Sequence, residues 1–200
     1  LCPAARMVRA RQRALLMQVL AVISHPERAS FTGAMLDAFV AGARAQGHQV
    51  DVADLHRMDF DFAFQARDAA QFAGVAVGDD IRAEQQRIEA ADALAFFYPV
   101  YWWTFPALLR GWIDRVLSFG WAYHAGEGPD KGLLADRPVH VFAMLGATRA
   151  TFEDFGYRPA MERLIDEGTF GYCGLRDIRT HYVFDVHESA QQRAEGLAAA

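Results

Sequence analysis

Residues 93–98 read Ala-Leu-Ala-Phe-Phe-Tyr, an unbroken apolar run of strand length closed by Pro99. A strand apolar on both faces does not alternate with solvent. It belongs in the middle of a parallel sheet with helices packed on either side. That demand constrains the rest of the chain, because each parallel strand needs a crossover before the next. The flanking sequence supplies them. Met17–Ile23 is a second apolar strand, turning at Ser24-His25-Pro26. Thr32–Ala45 follows with Met35, Leu36, Phe39, Val40 and Ala43 on one helical face, and Gly47 stops it.

The alternation continues to the end of the chain. Gln49–Ala53 reads as a strand, residues 55–80 as a long loop rich in Phe and Asp with short helical pieces, and Ile81–Ala91 as a helix. Pro106–Ser118 is expected to be helical, with its proline in the first turn, where a missing N–H costs nothing. Val139–Leu145 and Ile178–Phe184 are the remaining strands; Arg158–Glu167 and Ser189–Ala198 are the remaining helices. Five strands alternating with helices predict an α/β protein with a doubly wound, five-stranded parallel sheet and helices on both faces. No repeat, linker or shift in composition divides residues 17–200, which read as one domain.

Charge separates off the beginning. The 200 residues carry 20 basic and 25 acidic side chains, a net of −5. Residues 1–16 hold Arg6, Arg9, Arg11 and Arg13 and no acid, so the remaining 184 residues have 16 basic against 25 acidic groups, a net of −9. The apolar run Ala14–Ile23 is interrupted by Gln18 and falls short of the ~20 residues that span a bilayer. An acid-free, Arg-rich start resembles a transit peptide, but this one has no serine. The expectation is a non-native or over-extended leader, with Met17 as the start. A net acidic chain without a long basic run is not a dedicated nucleic-acid binder. With Cys2 in the leader, Cys173 stands alone, and no disulfide framework is possible; a reducing cytoplasm fits.

Ligands of doubly wound sheets lie beyond the carboxyl ends of the strands, where the strand order reverses. Three loops matter most. After the first strand, His25 precedes Ser30, Phe31 and Thr32, which open a helix whose free N–H groups and dipole make an anion site; Ser30 as a plain N-cap is the ordinary alternative. After the third strand come Pro99, Val100, Tyr101, Trp102 and Trp103. Nine of the 25 aromatic residues, including all four tryptophans, fall between Tyr98 and Tyr123. Trp112 sits at core spacing with Leu108, Leu109, Ile113 and Val116, but Tyr101, Trp102 and Trp103 precede the helix. There they suit stacking on a planar ligand or a dimer surface, and the two are compatible. After the fourth strand, Gly146, Ala147 and Thr148 let backbone approach a ligand closely.

Other chemistries lack their residues. Gly126–Lys131 has neither the preceding strand nor the spacing of a nucleotide-binding fingerprint. There is no G-x-S-x-G elbow, and the seven histidines show no metal spacing, His140 and His181 falling in strands. No metal is expected. Cys173 reads as an inert thiol.

The segments S-H-P-E-R-A-S-F-T-G-A-M (24–35) and E-A-A-D-A-L-A-F-F-Y-P-V-Y-W-W-T-F-P-A-L-L-R-G-W-I-D-R-V (89–116) resemble the NAD(P)H:quinone oxidoreductase (DT-diaphorase-like) family. F-G-W-A-Y (119–123), D-K-G-L-L (130–134) and Y-C-G-L (172–175) continue the likeness, which runs in order from Met17 to about Asp185. The resemblance implies a flavodoxin-like fold, flavin bound at a homodimer interface, and ping-pong hydride transfer from NADH or NADPH to quinones. By position, His25, Ser30, Phe31 and Thr32 would hold the flavin's phosphate and ribityl region. Pro99, Val100, Tyr101, Trp102 and Trp103 would border its ring system, Trp102 and Trp103 also walling the substrate slot. Gly146, Ala147 and Thr148 would close the other side. FAD is favoured over FMN because the 55–80 loop gives room for an adenine.

The likeness has gaps. Ala147 stands where the family has a second glycine, and an ungapped reading puts Phe152 and Arg158 at the family's proton-relaying tyrosine and histidine. Tyr157 lies nearby in another register, so no catalytic acid is assigned. Arg149 and Arg158 are candidates, by position only, for countering charge on reduced flavin. A flavodoxin-type electron carrier is disfavoured, since His25–Thr32 is not its Ser/Thr-rich phosphate loop. The remaining alternatives are a flavoprotein regulatory subunit of a potassium efflux system, with a membrane-channel partner, and an azo- or nitro-reductase.

Overall fold

A computed structural model describes residues 16–126, 131–187 and 190–199. The leader, apart from Leu16, therefore lies outside the described residues, as do Asp130 of the D-K-G-L-L segment, residues 127–130 of the glycine-rich stretch, and Ser189.

Five strands form one parallel sheet: β1 (Gln18–Ile23), β2 (Gln49–Asp54), β3 (Ala93–Pro99), β4 (Val139–Met144) and β5 (Ile178–Val183), in the order β2-β1-β3-β4-β5. The unbroken apolar run is the central strand, as its two-sided hydrophobicity requires. Its side chains alternate between two cores. Leu94, Phe96 and Tyr98 enter one, with Trp112, Ile88 and Phe170; Ala93, Ala95 and Phe97 enter the other, with Met35, Leu36 and Phe142.

The helices follow from these faces. α1 (Phe31–Ala45) lays Met35 and Leu36 on the second core, and its N-cap Ser30 accepts from the Gly33 N–H. α2 (Asp79–Ala90) and α3 (Ala107–Val116) cover the first core, α3 starting directly after Pro106. α6 (Ala190–Ala199) closes the chain beside α1. Between β2 and α2 the long loop contains one helical turn (Ala66–Ala69) running into a 3₁₀ turn (Ala70–Ala73).

The region after β4 differs from its expectation. Instead of one helix over 158–167, there are α4 (Arg149–Asp154), α5 (Tyr157–Met161) and a π-helical continuation, Glu162–Phe170. Gly156, in the left-handed region at φ 71°, turns the chain between α4 and α5. A six-residue helix with only Phe152 buried is too short to show a period.

His140 and His181 do lie in strands. They face each other across β4 and β5 with Nδ1 and Nε2 3.3 Å apart, and burial lowers the pKa of both. No group of three or more potential metal ligands occurs among the described residues.

Candidate active site

Because all five strands are parallel, their carboxyl ends share one edge. The order reverses between β1 and β3, so the loops leaving these two strands diverge and open a crevice. Backbone bonds align the strand ends there: Ser24 N–H donates to Phe97 O at 3.0 Å and Val100 N–H to Met144 O at 2.8 Å.

Two adjoining cavities fill the crevice. One, of about 350 Å³, is lined by Val100, Tyr101, Trp102, Trp103, Leu145, Gly146, Ala147 and His187. The other, of about 330 Å³, is lined by His25, Ser30, Phe31, Thr32, Pro99 and Met144, with Val186. Val100, Tyr101, Gly146 and His187 line both, so the two form one groove. The three loops singled out in the sequence meet in it. Thr148 alone of the twelve candidates lines neither cavity; its hydroxyl accepts from the Thr151 N–H and caps α4.

The first loop ends at the N-terminus of α1. Ser30 satisfies the Gly33 donor, while the N–H groups of Phe31 and Thr32, at the first two positions, have no intrahelical acceptor. With the helix dipole they favour a negative group in the second cavity. His25 joins them there, its Nδ1 accepting from the Glu27 N–H.

The third loop is a two-residue hairpin. Tyr101 N–H donates to Thr104 O at 3.2 Å and Thr104 N–H to Tyr101 O at 3.1 Å, with Trp102 at φ 50° and Trp103 at φ 60°. Such turns normally use Asn-Gly, because side chains resist positive φ; two tryptophans here carry backbone strain of about 1–3 kcal/mol each. Strain of this kind persists where the surroundings hold it, commonly at ligand sites. Trp102 is 92% exposed, whereas Trp103 is half-buried and stacked on Tyr157, ring centroids 3.5 Å apart at 9°.

The fourth-strand loop is zipped to the loop after β5. Val186 N–H donates to Leu145 O and Asp185 N–H to Ala147 O, both at 3.2 Å. Asp185, at φ 52°, turns the chain so that His187 comes over Gly146; a Cβ on Gly146 would lie 2.9 Å from the His187 ring. Val186 and His187 follow β5, outside the three loops that the sequence singles out. The fifth strand's carboxyl end lies on the same edge, which was the available signal.

The family's relay positions do not reach the groove. Phe152 is fully buried against Tyr182 and Phe184. Arg158 lies over the Phe152 and Tyr182 rings and bonds Glu153 at 2.5–3.0 Å. Arg149 sits over Phe184. Neither arginine lines the groove, so the expectation that one of them counters charge there has no geometric support. Cys173 is buried, and burial pushes its thiol up to about 12, as expected of an inert cysteine.

The 55–80 loop also stays out of both cavities. Arg115 of α3 draws it inward: the guanidinium bonds both Asp68 oxygens at 3.0 Å, Asp80 at 2.7 Å and the Asp61 carbonyl at 2.5 Å. A larger groove of about 450 Å³ runs from Thr104 between α3 and the π-helical stretch, with Arg110, Asp114, Leu164 and Tyr172 among its lining. None of the twelve candidate residues lines it.

A parallel 2-1-3-4-5 sheet with its crevice at the β1/β3 switch point, an anion-favouring helix start and an aromatic wall defines a flavodoxin-like α/β protein. Comparison with known proteins agrees: residues 17–200 match the model of a family described by its flavodoxin-like fold. The NAD(P)H:quinone oxidoreductase of Methanothermobacter marburgensis superposes with a TM-score of 0.84 at 31% identity, covering 92% of this chain and 95% of that one. An NAD(P)H oxidoreductase of Haemophilus influenzae is 29% identical over 172 residues, 86% of this chain and 85% of its own. NAD(P)H dehydrogenase (quinone) 1 of Cavia porcellus is 29% identical over 206 residues, 92% of this chain and 75% of its own. The chain belongs to the flavodoxin-like family, in its NAD(P)H:quinone oxidoreductase branch.

Proposed function

We propose that the groove binds flavin and that this chain is an NAD(P)H dehydrogenase acting on quinones. The observation that carries the reading is the convergence of the three loops on one crevice with complementary parts: donors at one end, a flat aromatic wall at the other. The residues fit such a cofactor. The Phe31 and Thr32 N–H groups, without intrahelical acceptors, suit a phosphate, and glycine at 146, where a Cβ would lie 2.9 Å from the His187 ring, lets the His187 loop close the groove's side.

In this reading the Phe31 and Thr32 N–H groups, with Ser30 and His25, hold the phosphate region. Pro99, Val100 and Tyr101 border the ring system, and Gly146 and Ala147 lie across from them. A flavin held there would supply the hydride-transfer chemistry between NAD(P)H and a quinone. Trp102 and Trp103 orient both substrates in turn, since a single slot beside the wall serves each; that is the ping-pong arrangement. Orientation and exclusion of water are the protein's contribution.

FAD rather than FMN is the finer reading. Its support is the resemblance and the run of the groove past the α1 start to Val186 and His187. The 55–80 loop, held inward by Arg115, no longer supports it. We also infer a homodimer whose second copy covers the 450 Å³ groove, because Leu164 (63%) and Tyr172 (41%) beside it expose large apolar surfaces, as do Tyr101 and Trp102. The buried, unpaired Cys173 accords with a reducing cytoplasm.

The test is to purify the protein, add FAD or FMN in separate titrations, and identify the flavin released on denaturation. Trp102→Ala is expected to lower quinone kcat/KM about tenfold or more while flavin affinity changes less than about threefold. A protein that takes up neither flavin refutes the reading; a variant with unchanged kinetics refutes the role of Trp102.

A further inference from the structure

The closest ring stack among the described residues lies at the groove's wall, between Trp103 and Tyr157. It adjoins the one place among the described residues where two consecutive non-glycine residues take positive φ. Trp102 and Trp103 both occupy the left-handed region, and the only bonds closing the hairpin are the pair between Tyr101 and Thr104. Neither tryptophan favours that backbone, so contacts from outside must hold it. Only one of the two indoles has them. Trp103 lies against Tyr157 and, at 6.4 Å, Phe152, whereas the 92% exposed Trp102 has no ring partner among the described residues.

Tyr157 is well placed to act as the fixed member. It opens α5 directly after the left-handed Gly156, and Phe155 flanks its ring at 6.2 Å. Among the described residues its hydroxyl makes no hydrogen bond, and its aromatic contacts, to Trp103 and Phe155, are made by the ring.

We infer that Tyr157 is a positioning residue, whose ring, through Trp103, presets the wall of the substrate slot and leaves Trp102 free to close on the bound molecule. This rests on the groove being the redox site. It assigns the work to the ring face and none to the hydroxyl, so Tyr157→Phe and Tyr157→Leu should behave differently.

The first readout needs neither flavin nor turnover. Amide hydrogen exchange of Tyr101 and Thr104 in the flavin-free protein should quicken about tenfold in Tyr157→Leu, the size expected for losing an aromatic stack, and by less than about twofold in Tyr157→Phe. Unchanged protection of the β3 amides in both variants shows the fold intact. The second readout is steady-state kinetics of the flavin-loaded enzyme with NADH and a soluble benzoquinone. Tyr157→Leu should raise the quinone KM about tenfold with kcat and flavin affinity within about threefold, and Tyr157→Phe should restore wild-type values. A Phe variant as impaired as the Leu variant overturns the inference, because the hydroxyl would then matter. Unchanged exchange and KM in Tyr157→Leu overturn it as well. Failure of the site itself looks different: the wild-type protein would bind no flavin or reduce no quinone, while exchange would still decide whether Tyr157 holds the turn.

Discussion

Arg115 is fully buried, yet every part of its guanidinium is met: Asp68, Asp80, the Asp61 carbonyl, and the Phe60 ring beneath it at 5.0 Å. Removing one partner of such a pair leaves an uncompensated buried charge, here on Asp68. Arg115→Met is therefore expected to cost about 3–5 kcal/mol, read by urea unfolding. Burial raises the Asp68 pKa, but the bonds from Arg115 and from the Gln65 N–H outweigh it, so the net shift is downward. A carboxylate with a depressed folded pKa contributes stability above its unfolded pKa, and that contribution disappears as pH falls through the folded value. Stability should thus decline below about pH 4, and Arg115→Met should flatten that part of the profile. Nothing in the local spacing of the Pro106–Ser118 helix marks Arg115 as buried. Its partners lie 35–54 residues upstream, beyond any local pattern. Trp102 and Trp103 were more legible, because adjacent aromatics just after a strand and before a helix fall at the sheet's carboxyl edge, although Trp103 also packs against the core. Their backbone strain and the Tyr157 stack depend on a segment folded from elsewhere and left no local trace.

At the level of elements, α1 shows how closely the anion-favouring loop is fitted. A Cβ on Gly33 would overlap the Arg28 carbonyl oxygen, whereas Gly42, on the same helix, has open space around it. Gly33→Ala must push the 25–30 loop away, at about 1–3 kcal/mol, and should weaken flavin binding by displacing Ser30. Gly42→Ala should instead stabilise by about 0.5–1 kcal/mol by restricting the unfolded chain. Thermal unfolding of the two variants, with a flavin titration of each, checks both. The strands and the long helices were readable from period alone, with ends within about two residues. The exception lies after β4, where a left-handed glycine and a π-helical stretch replace one regular helix. A π turn follows tertiary packing more than local propensity, and no spacing of apolar residues announces it.

Across the whole molecule, one edge of the sheet collects the proposed site. The parallel alternation of strands and helices put the carboxyl ends together, and that much followed from the central apolar run. The switch point needs the strand order, which pairing alone supplies. Looking at three strand ends instead of five left out Val186 and His187, though the principle was the same. The 55–80 loop was read as space for a ligand, but a buried arginine folds it onto α3. No acidic residue lines the groove, which is lined mainly by aromatic and small side chains.

The central claim is that this groove hosts flavin-mediated hydride transfer from NAD(P)H to a quinone. Its most direct test is an anaerobic pair of half-reactions on the flavin-loaded protein, followed by visible absorbance. Adding one equivalent of NADH or NADPH without quinone should bleach the flavin band, and one equivalent of a benzoquinone should then restore it. A band that NADH and NADPH both leave untouched, or a bleached band that quinone does not restore, would contradict the account.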